Sequence, residues 1–392
     1  MKAKEKIGEL LSLIPEKSSS DICWRSLRNT DLGIIFSKME ATAQNPVYHG
    51  EGNVFLHTKA VCESLISLEE YQNLSNEDRQ ILFLAALFHD IGKIRCTRTE
   101  DGEIVSPHHA AIGAVMTREI LWRQFGLCGS REKQQLREAV CFLVRYHSVP
   151  PYSIKDENAS LRLLKIASNG LLAPHFSIEK LCILEKADIL GRICPDGRES
   201  LDKVDFCRLL AEEAGCLTSP YPFLSDYSRR AFFLEKTKWC DQEMYNDSFG
   251  EVILMSGLPG TGKSTWIKEN CSAHPVISLD DIRKEMGVSP TENQGKVIVA
   301  AREKARELLR KKQPFVWDAT NISSDIRSKQ IALFEQYGAS VRTVFLETEW
   351  EEELKRNRER ANAVPLPAIE KMISKLEIPE AFECEKVVWE TV

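Results

Sequence analysis

Residues 86–93 read ALFHDIGK. An apolar helical run ends here in His89 and Asp90, adjacent in the chain, and imidazole and carboxylate both bind divalent transition metals. Neighbouring helix positions diverge by roughly 100°, so the two converge on one ion only if other elements help. The same half of the chain supplies that help. His57 begins HTKAVCESL, His108 and His109 begin HHAAIGAVM, His147 ends CFLVRYH, and Asp188 lies within ILEKADILGR. Six of the eight histidines (49, 57, 89, 108, 109 and 147) fall between positions 49 and 147. A lone core histidine is ordinary. Six of them beside Asp90 and a mid-helix Asp188 point to a metal centre, because buried charges need partners. Imidazole-rich ligation admits Mn, Fe, Co, Ni, Cu or Zn. His49, in YHGEGNV, is a candidate substrate contact; Lys93 would pair with phosphate or cap a helix end.

A second stretch, GLPGTGKST at 257–265, fits G-x-x-x-x-G-K-[ST]. It follows an apolar strand-like run, EVILMS, and opens a helical pattern, which is the context that motif needs. Gly257, Pro259, Gly260, Thr261 and Gly262 would cradle phosphate through backbone N–H groups at a helix N-terminus. Lys263 would reach the terminal phosphates, and Ser264, followed by Thr265, would hold Mg²⁺ on the nucleotide.

Three further stretches narrow the chemistry. SLDDIR places Asp280 where it can take a proton from an incoming hydroxyl, with Arg283 one turn on; alternatively Asp280 or Asp281 caps the following helix. WDATN places Asp318 at a strand's carboxyl end, beside metal water or acceptor, with Asn321 as a further acceptor contact. KRNRERANAVP (355–365) puts Arg356 and Arg360 four apart, and an arginine arriving over the phosphates stabilises charge in transfer.

Length and composition set the frame. The chain has 392 residues, 43% apolar and 28% charged, with formal net charge −6. That suits two or three ordinary globular domains and excludes a wholly basic nucleic-acid binder. No apolar run approaches the ~20 residues needed to span a bilayer. The start, MKAKEKIGELLSLIPEK, reads as a short amphipathic helix and not a signal peptide. Twelve cysteines without a CxxC pair suggest reduced thiols and a cytoplasmic setting.

Period decides the organisation. Residues 59–70, 78–89, 109–125, 131–146, 160–169, 177–193 and 200–214 recur at three- and four-residue steps, so the first half is helix after helix. Residues 215–250 are broken by Pro, Gly and Ser but too aromatic to stay solvated, and read as a packed connector. From 251, short β-rich runs (EVILMSG, HPVISLD, QPFVWDAT, SVRTVFLET) alternate with helices at 262–271, 291–312, 324–337 and 350–361, which implies a parallel sheet covered on both faces. The expected domains are 1–235 and 251–392, joined by 236–250.

The order GLPGTGKSTW, DDIR, DATN, RNRERANAVP resembles the kinase module of polynucleotide 5′-kinases, in the adenylate-kinase-like P-loop group, over about 140 residues. That resemblance implies Asp280 as general base for a 5′-hydroxyl, Arg283 on the acceptor phosphate, Asp318 supporting acceptor or metal water, and Arg360 as lid arginine on the donor. The pattern H…HD…H…H…D resembles the HD-domain phosphohydrolase superfamily, an all-α fold. It implies His57, His89, Asp90 and Asp188 around a first metal, with His109 and His147 extending the site to a second and Asp90 bridging. His109 is chosen over His108 on its spacing before Gly113-Ala114. Together the halves resemble bacterial bifunctional HD-domain polynucleotide kinase–phosphoesterases. The resemblance implies ATP or another NTP with Mg²⁺, one or two divalent metals, single-stranded RNA or DNA ends, and a separate ligase. Two other readings stand beside it: an NTP-regulated hydrolase of free or cyclic nucleotides, and a small-molecule kinase with a fused hydrolase. Lys311, Lys312, Arg327, Lys329 and the aromatics of 221–239 are candidates for an acceptor groove.

Overall fold

The computed structural model describes residues 3–17, 21–289, 294–360 and 363–392. Its helices begin where short polar side chains allow. Asn53, Ser75, Ser130 and Ser177 each accept a hydrogen bond from the backbone N–H three residues on. That satisfies a donor that the first turn leaves open. These caps start α1 (Val54–Ser67), α2 (Asn76–Phe88), α4 (Arg131–Tyr146) and α5 (Ile178–Leu190). Two more helices, α3 (His109–Glu119) and α6 (Gly197–Glu213), complete the set around the metal-ligand candidates. Ile81 to Phe88 are all 0% exposed, so the last two turns of α2 have no solvent face. A helix apolar all round belongs at the centre. Helices α1, α4 and α5 pack on it, and α3 packs on α4.

The first unit spans Met1–Tyr221 and the second Pro222–Val392. The division falls earlier than the expected 235, for a physical reason. Helix α7 (Asp226–Phe233), inside the stretch read as connector, is tied to the second unit. Arg229 donates to the Glu385 carbonyl at 2.7 Å, and Arg230 to the Phe382 carbonyl at 2.8 Å and both Glu335 carboxylate oxygens at 2.7 and 2.8 Å. Phe223, Phe232 and Phe233 stack on one another, so these aromatics are packing material. A hairpin at Arg98–Glu100 and Glu103–Val105 interrupts the helical half. Its Asp101-Gly102 turn, with φ of 50° and 84°, is a recognisable sequence signal that periodicity alone passes over.

In the second unit five parallel strands run in the order β2-β3-β1-β4-β5: β1 Glu251–Ser256, β2 Val276–Ser278, β3 Val316–Asp318, β4 Ser340–Glu347 and β5 Lys386–Thr391. The fifth strand and helix α13 (Leu366–Ile373) are additions to the expected alternation of α8 (Lys263–Asn270), α9 (Leu279–Glu285), α10 (Gly295–Arg310), α11 (Ser324–Gln336) and α12 (Trp350–Glu359). Of the stretches expected to be helical, residues 291–293 and 361 lie outside the described residues. Ile253, Met255, Val316, Val344 and Leu346 bury against Ile267 and Cys271 of the β1–α8 segment. The chain leaves β1 toward one side of the sheet and β3 toward the other. Their carboxyl ends therefore form the crevice where such sheets bind ligands. All twelve thiols are free. Among the described residues no helix is long and apolar enough to cross a membrane.

Arg327, a groove candidate by sequence, is fully buried. Its guanidinium grips the Glu383 carboxylate at 2.6 and 2.7 Å and donates to the carbonyls of Asn321 (3.0 Å) and Glu377 (2.7 Å). It holds the C-terminal segment, not a polymer. Arg327→Met would strand a mostly buried carboxylate. It should cost the second unit about 3–5 kcal/mol, read as a lower denaturant midpoint for that unit's transition.

Candidate metal centre and phosphate cradle

Gly92 explains why the HDIGK stretch needs a glycine. A Cβ there would lie 2.0 Å from the His109 carbonyl oxygen and 2.7 Å from the Gly113 nitrogen. Bare backbone therefore lets α3 close on the end of α2, which carries His109 to Asp90. The ring faces inward: His109 Nε2 lies 3.5 Å from Asp90 Oδ1 and 3.3 Å from His147 Nε2. His108 is exposed in a left-handed conformation (φ 59°) and faces away from this group.

The other carboxylate oxygen serves a second cluster. Asp90 Oδ2 lies 3.4 Å from His89 Nε2 and 3.5 Å from His57 Nε2. Those two nitrogens are 3.2 Å apart, and Asp188 Oδ1 is 3.0 Å from His57 Nε2 and 3.9 Å from His89 Nε2. The structure thus brings His57, His89, Asp90, His109, His147 and Asp188 together, with Asp90 common to both groups. Except for His109, they are nearly or wholly buried.

The tautomers follow from the other ring nitrogens. Nδ1 of His89, His109 and His147 lies 2.8, 3.0 and 2.8 Å from the carbonyls of Ala86, Ser106 and Val144, which can only accept. Each Nδ1 therefore carries the proton, and each Nε2 aims a lone pair inward. His57 Nδ1 faces the Glu51 carboxylate at 2.9 Å in the same sense. Lone pairs held 3.2–3.3 Å apart repel unless a cation lies between them. The donor set fits divalent metals with imidazole and carboxylate preferences.

Charge agrees. Burial alone would push both aspartates up, but Lys93 and His89 at Asp90, and Arg192 and His57 at Asp188, hold them well below the usual carboxylate range. Burial drives His147 down to about 3, helped by His109 and His89, so it is a neutral ligand. At His57 burial is outweighed by Asp188 and Glu51, which raise its pKa. That is a cage built for positive charge. Lys93 is a wall of the site, not an exposed cap: its Nζ lies 2.6 Å from Asp90 Oδ2, 2.6 Å from Gln44 Oε1 and 3.4 Å from His49 Nε2. Sequence reading passed over Glu51, Gln44 and Arg192. Glu51 and Arg192 had a visible signal, one sitting between two histidines and the other one helical turn after Asp188.

In the second unit, Gly257, Gly260 and Gly262 adopt φ of 139°, 94° and 89°, open to glycine. A Cβ at Gly257 would strike the Leu346 carbonyl at 2.6 Å. The loop ends in α8, and Lys263 folds back to donate to the carbonyls of Gly257 and Leu258, both at 2.8 Å. Thr261 Oγ1 closes the turn on the Leu258 carbonyl at 2.9 Å, and Pro259 is buried beside it. Ser264 and Thr265 are exposed on the first turn of α8. Burial pushes Lys263 down to about 8, against a pull from Asp318; Arg360, Glu353 and Asp280 also act on it. Burial raises Asp318, with Lys263 opposing and Asp280 adding.

Ser278 is the cap of α9, accepting from the Asp281 N–H at 3.2 Å, which frees Asp280 from that role. Asp280 instead pairs with Arg283, whose Nε donates to Gln294 Oε1 at 2.7 Å. From the end of α12, Arg360 reaches within 4.0 Å of Asp280, while Arg356, paired with Glu352 at 2.8 Å, lies near Gly262. Asn321 differs from expectation. It is 3% exposed, and its amide donates to the Met255 carbonyl at 2.7 Å while its own carbonyl accepts from Ser256 Oγ at 3.1 Å. It staples β1 to the segment after β3 instead of meeting an acceptor.

Asp90 is the shared ligand, so Asp90→Asn should weaken divalent-metal binding by more than about 10-fold at both positions, whereas His147→Ala should spare one; metal titration with elemental analysis reads this. At the cradle, free Lys263 loses its proton above about pH 8, and bound phosphate favours the ammonium. NTP binding should therefore take up a proton between pH 8 and the ordinary lysine value of 10.5, seen as a buffer-dependent binding heat that shrinks at pH 7 and vanishes in Lys263→Met.

Residues 54–183 match the family model described as HD domain, and residues 252–379 match that described as AAA domain. Two solved structures are similar to parts of the chain. One, from Chloroflexus aurantiacus j-10-fl and described as a kinase, is 18% identical and covers 37% of this chain and 86% of its own, with a TM-score of 0.32. The other, a gluconokinase from Sinorhizobium meliloti 1021, is 18% identical and covers 37% and 84%, with a TM-score of 0.28. The chain thus joins a helical unit that matches the HD family model, with a buried His/Asp cluster whose donors fit divalent metal, to an α/β unit with a P-loop on a five-stranded parallel sheet.

Proposed function

We propose that this chain heals nucleic-acid ends. The P-loop unit transfers the γ-phosphate of ATP or another NTP to a polynucleotide 5′-hydroxyl. The HD unit removes 2′,3′-cyclic phosphate or 2′/3′-phosphate. The observation that carries the reading is the acceptor side of the cradle: Asp280 keeps 63% of its side chain exposed while Arg283 pairs with it and Arg360 stands beside it. A base standing in the open, flanked by two guanidiniums, suits a hydroxyl at the end of a phosphate-bearing chain.

Asp280 takes the hydroxyl proton as O5′ bonds to the γ-phosphorus. The bond from that phosphorus to the bridging oxygen breaks, and the nucleoside diphosphate leaves with the electron pair. Lys263, Arg356 and Arg360 hold the charge that spreads over the transferring group, and Asp318 supports the acceptor or a water on Mg²⁺. In the first unit, divalent ions when bound would supply Lewis acidity and acidified water for phosphoester hydrolysis. His57, His89, Asp90, His109, His147 and Asp188 hold that charge, and Lys93 and His49 at its edge bind the phosphate. Single-stranded RNA or DNA ends are the substrates in this reading, a separate ligase completes the repair, and the setting is cytoplasmic.

The test is label transfer from γ-labelled ATP with Mg²⁺ to a short single-stranded oligonucleotide bearing a 5′-hydroxyl. Wild type should label it, and Asp280→Ala should lose about 10²–10⁴-fold while still binding ATP. Absence of label from a protein that binds ATP would overturn the reading in favour of a small acceptor or a nucleotide-regulated hydrolase.

A further inference from the structure

Glu51 is an acidic side chain at the metal centre that neither the metal set nor the phosphate contacts account for. It sits in the loop before α1, and 8% of its side chain is exposed. One of its oxygens, Oε1, lies 2.9 Å from His57 Nδ1 and 2.9 Å from His49 Nδ1. The other, Oε2, accepts the Ile193 N–H at 3.0 Å, and the Gly50 N–H donates back to the Ile193 carbonyl at 3.0 Å. Gly50 permits this approach, since a Cβ there would stand 3.0 Å from that carbonyl. The loop is thus clamped to the chain just beyond α5, one turn from Asp188 and directly after Arg192, which pairs with Asp188.

We infer that Glu51 is a positioning residue for the HD centre: it holds His49 by a hydrogen bond at Nδ1 and faces His57 Nδ1 with its negative charge, so both rings keep the proton outside and aim Nε2 at the metal and phosphate space. The other inward-facing imidazoles obtain the same tautomer from backbone carbonyls at positions i−3. His57 lies in the first turn of α1, where the carbonyl three residues back is that of Val54, already accepting from Thr58 Oγ1 at 2.8 Å. A carboxylate from the preceding loop replaces it. Being anionic, it also raises the basicity of the ring it holds, which a carbonyl does less well. The two rings meet edge to face, with centroids 4.7 Å apart and planes at 73°, so one carboxylate oxygen lies 2.9 Å from both Nδ1 atoms. Through His49 the effect reaches Lys93 at 3.4 Å, and through Lys93 it reaches Asp90. Glu51 therefore ties the orientation of a metal ligand to that of the phosphate-binding edge. The three donors His49, Glu51 and His57 also lie close enough to suggest a further ion site. At His49 Nδ1 the 2.9 Å contact is a hydrogen bond; at His57 Nδ1 it is a charge contact off the ring N–H line, and a carboxylate so close still favours a proton on that nitrogen over a lone pair.

The inference rests on the metal reading of the cluster and not on which phosphoester is cleaved. The test uses the full chain and zinc alone, without substrate. Zinc affinity is measured against a competing chelator for wild type, Glu51→Ala and Glu51→Gln, with the ring N–H protons followed by NMR. Glu51→Ala should lose about 10–100-fold in affinity at unchanged stoichiometry, and the hydrogen-bonded His49 Nδ1–H resonance should shift or vanish, with the His57 ring resonances shifting alongside. Glu51→Gln, whose amide oxygen still accepts, should recover most of the affinity. Unchanged affinity in a folded Glu51→Ala would overturn the inference and leave the metal reading standing. Loss of one whole zinc equivalent in Glu51→Ala would overturn it in favour of Glu51 as a ligand. Absence of zinc binding by wild type would overturn the metal reading and this inference with it.

Discussion

Four imidazoles pointing lone pairs at one buried carboxylate is the constraint on which the first unit depends. Backbone carbonyls hold the outer nitrogens of His89, His109 and His147 and the Glu51 carboxylate faces that of His57, so the inner nitrogens aim lone pairs at the centre. Packing alone would not choose such a state, because facing lone pairs in a dry interior repel and burying Asp90 and Asp188 costs several kcal/mol each without compensation. The elements around it bend to that requirement. Gly92 and Gly113 bring α3 against the end of α2, and the fully buried turns of α2 give the site a rigid floor. The result is a fixed cage of one sign, with Lys93 paired to Asp90 and Arg192 to Asp188.

The second unit meets the opposite problem, a concentration of positive groups around a cradle waiting for anions. Lys263 settles it internally by bonding two carbonyls of its own loop. Arg283 and Arg356 are each parked on a carboxylate, and Arg360 stands near Asp280. These pairs sit at partly exposed positions, so each is weak and can be exchanged for phosphate at little cost. Arg327, similar in sequence dress, is fully buried and bound bidentately, and is not exchangeable. Burial, not residue type, separates a working arginine from a structural one.

That distinction marks how much was legible in the sequence. Periodicity located α1 to α6 within a few residues, and the strand–helix alternation gave four of the five strands, because both signals are local. The clustering of His57, His89, Asp90, His109, His147 and Asp188 was legible because histidine and aspartate are rare inside buried helices unless something needs them there. The choice of His109 over His108 turned on Gly113, which the structure places against Gly92. What escaped was long-range. Helix α7 belongs to the second unit through carbonyls some 150 residues away, which no window detects. Asn321 read as an acceptor contact and is a staple, because its partner Met255 comes from another strand. Glu51 looked like loop polarity, and its role depends on His49, His57 and Ile193 meeting at one carboxylate.

Both centres rest on the same device: polar atoms oriented before the ligand arrives, so that binding requires no reorganisation. In the HD unit the orientation comes from second nitrogens hydrogen-bonded outward. In the P-loop unit it comes from glycines with positive φ and a helix start. Neither device depends on net charge, which explains how a chain of formal charge −6 can present two sites for phosphate chemistry. Attraction for an anionic substrate must then be local, confined to Lys93 and any ions the cage takes up in one unit and to Lys263, Arg283, Arg356 and Arg360 in the other. Recognition confined to a few groups reads the terminal phosphate or hydroxyl more than the length of chain behind it, which is the selectivity that the proposed action on ends would need.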